Sequence, residues 1–195
     1  LSTQFVEYQQ QLSGLDRKAA TMSIFRLNHA VLYVRDVAAS VAFYRDVLGF
    51  EYIPGGDAIP GGAFLRAPGS TNDHDLGLFQ IGAQAGPSGA GRSTVGLYHL
   101  AWEVDRLGDL ADLADKLSAT GALVGASDHG TTKSLYGRDP DGLEFEIVWI
   151  IPAQLLTDAD RSASARIRPL DLSAELQRYG ADARGGLGIS RPALV

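Results

Sequence analysis

The chain of 195 residues contains no cysteine. That excludes disulfides, iron–sulfur clusters, thiolate zinc sites and a cysteine nucleophile. Long apolar runs are missing too. The longest wholly apolar stretch, 147–151, falls far short of the roughly 20 residues a membrane helix needs. No signal-peptide pattern opens the sequence, so a cytoplasmic location is the expectation. Positive charge is in deficit: 17 Lys and Arg against 23 Asp and Glu leave a formal net charge of -6. This argues against nucleic acid or an anionic membrane as partner. Methionine occurs once, at Met22, just before the first strong strand pattern, and residue 1 is Leu. Residues 1–23 are therefore expected to be an extension outside the fold, its glutamine run at 9–11 compatible with a helix. Histidine is scarce as well, with four in the whole chain.

What remains is an ordinary globular composition, 45% hydrophobic and 21% charged, long enough for one domain with a sizeable core. Residues 27–34 (LNHAVLYV) predict a buried strand. A helix follows from Asp36 to Leu48, stopped by Gly49. Strands are predicted at 50–53, 63–67 and 74–81. The Gly/Ser/Pro-rich stretch 82–96 marks a connector. The pattern then restarts with a strand at 98–104, a helix at 107–120, and strands near Leu123, at 134–136 and at 143–150. Aligning His29 with His99 gives a period of 99 − 29 = 70 residues. The expected fold is α+β, with two βαβββ repeats at about 24–85 and 95–151. Paired, they form a curved sheet around a cleft, with the helices outside. Residues 152–195 differ in character, with short helices predicted at 157–167 and 172–179 and a loose tail from 185. This extension is expected to wrap the core, cap the cleft or join subunits.

The densest chemistry lies in 127–149, SDHGTTKSLYGRDPDGLEFEIVW. Its Asp139-Pro140-Asp141-Gly142 run is a tight-turn sequence. In the strand after it, Leu143, Phe145, Ile147 and Trp149 form an oily face, and Glu144 and Glu146 point the other way. A lone strand histidine is more often a hydrogen-bonded core residue than a ligand, and a lone strand acid is usually solvated. Joint placement changes that balance. His29 and His99 occupy equivalent points on the first strand of each repeat. In the 98–104 strand, Tyr98, Leu100, Trp102 and Val104 form the oily face, so that His99, like Glu146 in its own strand, lies off it. Two imidazoles and a carboxylate from three strands form a facial triad, which leaves coordination positions open. Such a set suits Fe(II), with Mn(II) second, and lacks the residues that would close a structural zinc shell.

The stretches HAVLYVRDVAASVAFYRDVLGFE, DHDLGLF, YHLAWEV and DHGTTKSLYGRDPDGLEFEIVW together resemble the vicinal oxygen chelate superfamily. Within it they are most similar to one-module type I extradiol (catechol 2,3-) dioxygenases. The resemblance covers roughly residues 24–150. It implies an Fe(II) enzyme that opens a catechol-type ring with both atoms of O2, assembled as a homo-oligomer. It makes His29, His99 and Glu146 the metal ligands, with Glu146 rather than Glu144 at the family's position four residues after Gly142. It makes His74 an acid–base residue near oxygen, with Asp73 standing where the family has another histidine. His129 lines the substrate cleft, and Tyr136 hydrogen-bonds a substrate hydroxyl. A glyoxalase-like lyase or epimerase of the same fold would need a fourth protein ligand. Gln80, at the same strand parity as His74, is the candidate for that role. A non-catalytic resistance protein that binds a small molecule is the third reading.

Overall fold

The computed structural model describes residues 26–55, 59–91, 93–164 and 166–186. The expected helix near residues 9–11 and most of the 185–195 tail lie outside them. The first repeat runs β1 (Ala30–Val34), α1 (Val37–Asp46), β2 (Glu51–Tyr52), β3 (Gly62–Arg66) and β4 (Leu76–Gln80). The second runs β5 (His99–Glu103), α2 (Leu107–Ala119), β6 (Leu123–Asp128), β7 (Thr132–Arg138) and β8 (Glu144–Ile150). Each repeat forms its own sheet. The first has the order β1-β4-β3-β2. The second has β5-β8-β7-β6 and gains a fifth strand, β9 (Arg168–Pro169), at its β6 edge. In both, the opening strand lies parallel to the closing one, and the other pairs are antiparallel.

Local sequence explains the elements. Asp36 caps α1 by accepting from the backbone N–H groups of Ala38 and Ala39 at 2.9 and 3.2 Å. Gly49 ends this unit at φ 80°, a conformation glycine adopts without steric cost. Leu107, Leu110 and Leu117 recur at helical spacing and bury one side of α2 completely. In β8, Phe145, Ile147 and Trp149 are buried and alternate with Glu144 and Glu146, which point away from that core. Burying each such large side chain contributes about 1.5–3 kcal/mol.

The two repeats are locked together around the Asp139–Gly142 turn. The Gly142 N–H bonds the Asp139 carbonyl at 2.9 Å, and Asp139 Oδ1 accepts from the N–H groups of Asp141 and Leu143 at 2.9 Å each. From the first repeat, Tyr44 donates its hydroxyl to Asp139 Oδ2 at 3.2 Å. Arg35 grips Asp141 through its backbone N–H at 3.0 Å and its guanidinium at 2.7 Å. Phe43 of α1 belongs to the apolar packing of both halves. Its ring lies 5.9 Å from that of Phe145. Phe145 is seated by a gap in β7, because a side chain at Gly137 would lie 2.4 Å from its ring.

The C-terminal extension wraps the core, on the outer side of the second sheet. It contains a short 3-10 turn, Ala153–Leu155, then α3 (Asp158–Ala163), β9 and α4 (Leu172–Tyr179). Leu172, Leu176 and Tyr179 pack against the second core. Trp149 Nε1 donates to the Ala183 carbonyl at 3.2 Å. β9, which the sequence pattern did not suggest, pairs Pro169 with Ser127 and Arg168 with Asp128. Among the described residues no helix is long and apolar enough to cross a membrane.

Candidate active site

Strand register assembles the second repeat's half of the cleft. β5 and β8 run in parallel with His99 opposite Glu144 and Ala101 opposite Glu146. Tyr136 of β7 stands opposite Glu146 from the other side. Side chains one step apart on these ladders therefore share the face away from the core. His99 Nε2 lies 3.1 Å from Glu146 Oε2. The Tyr136 hydroxyl donates to Glu146 Oε1 at 3.4 Å. His129, in the turn after β6, places Nε2 3.0 Å from the same hydroxyl. With Tyr136 donating to Glu146, its oxygen accepts from His129 Nε2–H. The row then reads His129 to Tyr136 to Glu146, with His99 against the far carboxylate oxygen. Burial, reinforced by the Glu146 charge, pushes the Tyr136 phenol up to about 12, so it keeps its proton at neutral pH. Glu144 is set apart from this group and faces Arg138 at 3.7 Å.

The first repeat contributes a separate pair. His29 lies just ahead of β1, exposed, with Nδ1 2.7 Å from Asn28 Oδ1. Its ring is 4.6 Å from the ring of His74, which in turn lies 4.7 Å from Phe64. Asn72 ties the two histidine-bearing segments together. It donates to the Asn28 carbonyl at 2.8 Å and to Asp75 Oδ1 at 2.7 Å, and its Oδ1 accepts from Arg26. Sequence reasoning missed Asn72, which offers no signal beyond being a polar residue in a predicted loop.

Two expectations need correction. His74 and Gln80 do not share a face. β4 begins only at Leu76, and the buried Asp75 carboxylate turns the chain ahead of it by accepting from Ala67 N, Ser70 Oγ and Asn72 Nδ2. Strand alternation cannot be counted through that turn. His74 packs on Phe64, whereas Gln80 Oε1 accepts from the Val37 N–H at the start of α1, 3.2 Å away. Tyr98 also departs from the expected oily face of β5. Leu100 and Trp102 enter the core packing, while Tyr98 precedes the strand, 69% exposed, its ring 4.6 Å from His99.

The donor chemistry can be weighed directly. His99 and Glu146 place a nitrogen and an oxygen 3.1 Å apart, the separation of neighbouring ligand atoms on a cation with bonds of about 2.1 Å. The other ring nitrogen, His99 Nδ1, is buried and meets no hydrogen-bond partner among the described residues. These two residues fit a divalent cation. His29 packs on His74 instead, and among the described residues no three His, Asp or Glu side chains stand close enough to hold a metal ion.

Comparison with known proteins fits this architecture. Residues 26–147 match the profile of the Glyoxalase/Bleomycin resistance protein/Dioxygenase superfamily. Biphenyl-2,3-diol 1,2-dioxygenase 3 of Rhodococcus globerulus is 36% identical over 128 residues, 63% of this chain and 62% of that protein. The manganese-dependent 2,3-dihydroxybiphenyl 1,2-dioxygenase of Geobacillus genomosp. 3 is 31% identical, over 66% of this chain and 38% of that one. The matched region thus spans less than two thirds of either relative. Among solved structures, a glyoxalase/dioxygenase from Nostoc punctiforme superposes with a TM-score of 0.51 at 26% identity, covering 66% of this chain and 93% of that one. A glyoxylase/bleomycin resistance protein/dioxygenase domain from Frankia sp. EAN1pec gives 0.54 at 24% identity, covering 65% and 92%, and shows the fold. With two βαβββ repeats, each forming its own sheet, and the superfamily profile matched across both, the chain belongs to the Glyoxalase/Bleomycin resistance protein/Dioxygenase superfamily.

Proposed function

We propose that this protein is an extradiol ring-cleaving dioxygenase that acts on catechol-type diols with Fe(II), Mn(II) being the second candidate. The observation that carries the reading is the row His99, Glu146, Tyr136, His129 on one wall of the cleft. The printed names of the curated relatives support it. In this reading His99 and Glu146 would hold the metal, with His29 as the third protein ligand. Bound there, the cation would gather the diol and oxygen and lower the pKa of a diol hydroxyl.

The chain's own side chains supply the rest. Tyr136 keeps its proton and donates its O–H to a diol oxygen, fixing the ring's orientation. His129 holds the Tyr136 oxygen from behind through Nε2. His74 carries a proton between a ring nitrogen and the substrate. Its ring is steadied between His29 and Phe64. Aligning these groups before reaction removes much of the entropic cost of bringing them together. The lyase reading needs a fourth ligand from β4, and Gln80 is engaged at the α1 N-terminus instead.

The test is oxygen consumption with a panel of mono- and bicyclic catechols, using protein reconstituted anaerobically with Fe(II) or Mn(II). Stoichiometric oxygen uptake with a coloured ring-opened product is expected. Tight binding of zinc or nickel with no oxygen uptake on any diol would overturn the reading.

A further inference from the structure

Behind the His129 turn lies a buried charge cluster that the cleft chemistry does not use. Lys133 is 1% exposed, with Nζ 2.6 Å from Asp128 Oδ1 and 3.4 Å from Glu175 Oε1. Asp128 also accepts from the Gly130 N–H at 2.7 Å and from Arg168 at 2.7 Å. Burial works against the Asp128 charge, yet Lys133 and the Gly130 N–H hold its carboxyl below the usual range. Buried ion pairs are a poor source of stability, because desolvation offsets most of the attraction. Their best-attested use is to fix one arrangement over others.

The connections of this cluster show what it fixes. Asp128 and Lys133 flank the turn that carries His129, and their partners Arg168 and Glu175 lie on β9 and α4 of the C-terminal extension. α3 abuts the same turn. A side chain at Gly130, where φ is 81°, would lie 2.5 Å from the Asp160 carbonyl and 2.8 Å from the backbone of Ala163 and Ser164. α3 is itself anchored, since Asp160 accepts two bonds from Arg178 of α4 at 3.0 and 2.9 Å.

We propose that the extension is a backing for the His129 turn, with Asp128 and Lys133 as positioning residues that set the imidazole against Tyr136, and Glu175 as the extension's hold on them. The catalytic side of this inference rests on His129 acting in the cleft as proposed above. The positioning side stands on geometry alone.

Two readouts separate them. In the first, Lys133→Met and the milder Glu175→Gln are compared with His129→Ala and with each double variant on the metal-loaded protein. Each single variant is expected to bind metal normally and to lose kcat about 10-fold. That loss should vanish once His129 is already alanine. Losses that multiply in full in the double variants would show that the cluster does not act through His129. In the second, imidazole nitrogens are followed by NMR, which four histidines make resolvable. The His129 Nε2 signal should move in Lys133→Met and Glu175→Gln while the His74 signals stay. An unmoved His129 signal in both variants would overturn the proposal whether or not the protein opens any ring. A shifted signal in a protein with no oxygen uptake would leave positioning standing and sink the dioxygenase reading.

Discussion

His99 and Glu146 face each other across the parallel pair β5 and β8, Nε2 to Oε2 3.1 Å apart, while Glu144 two residues earlier turns to Arg138. Replacing either His99 or Glu146 by alanine is expected to weaken Fe(II) or Mn(II) binding by roughly 100-fold or more, and His29→Ala should do the same. Glu144→Ala should leave binding nearly intact. Anaerobic equilibrium dialysis with metal analysis checks this. Metal loss from the Glu144 variant instead of the Glu146 variant would move the ligand one step along β8.

The second expectation concerns His74, which touches His29 by its ring yet is assigned no metal bond. His74→Phe keeps an aromatic ring of similar breadth against Phe64. It should retain metal and lose turnover by about 10²-fold, the usual worth of a general acid–base residue. Should the purified variant come out metal-free, His74 is a ligand and the proton-transfer role is wrong.

The joint between the repeats gives a prediction about stability. Tyr44→Phe removes the hydroxyl that donates to buried Asp139 and leaves that carboxylate short of a partner, at a cost of about 1–3 kcal/mol. Urea unfolding should show the loss as a lower midpoint with an unchanged slope. Metal affinity should be unaffected, because Tyr44 lies in the core on the helix side. A midpoint equal to that of the unsubstituted protein would mean the turn is held by its backbone bonds alone.

Strong acid should loosen the extension. Burial raises the Asp160 carboxyl, but hydrogen bonds from Arg178 and Thr157 overcome it and bring the group to about 2. A folded value below the unfolded one means the contribution is complete above about pH 4 and is lost as pH falls from there toward 2. Allowing for the half-open Arg178, it is on the order of 1–2 kcal/mol. Arg178→Met should remove the larger share of that acid-dependent part, Thr157 keeping the rest, and make the stability profile between pH 4 and 2 shallower. A profile in that window identical to the unsubstituted protein's would rule out the Asp160–Arg178 bond as its source.

Sequence alone revealed much of this, and the failures have physical causes. Strand and helix order followed from periodicity, and the helix expected at 172–179 has those bounds, with Asp171 capping it by accepting from the Ala174 N–H. That His99 and Glu146 share a face was legible from alternation, which holds along β5 and β8, whereas Tyr136 joined them only through the family resemblance. On the first repeat the same counting failed ahead of β4, where the Asp75 side chain holds a turn, and Gln80 lies on the helix side. The resting place of the extension was not legible, since Lys133 looks like a surface lysine until Glu175 and Arg168 arrive from 35 and more residues away. Asn72 belongs to the same class, since the fold brings Asn28 and Arg26 to it from more than 40 residues away.

Gly137 has a bearing on how this protein can be rebuilt. The ring of Phe145 fills the place its side chain would take and from there meets Phe43 of α1. The two repeats are thus mated parts and not exchangeable cassettes. A chimera that brings in a foreign first half, or a second half bearing even alanine at 137, would have to recut this aromatic joint before the two halves could pack together.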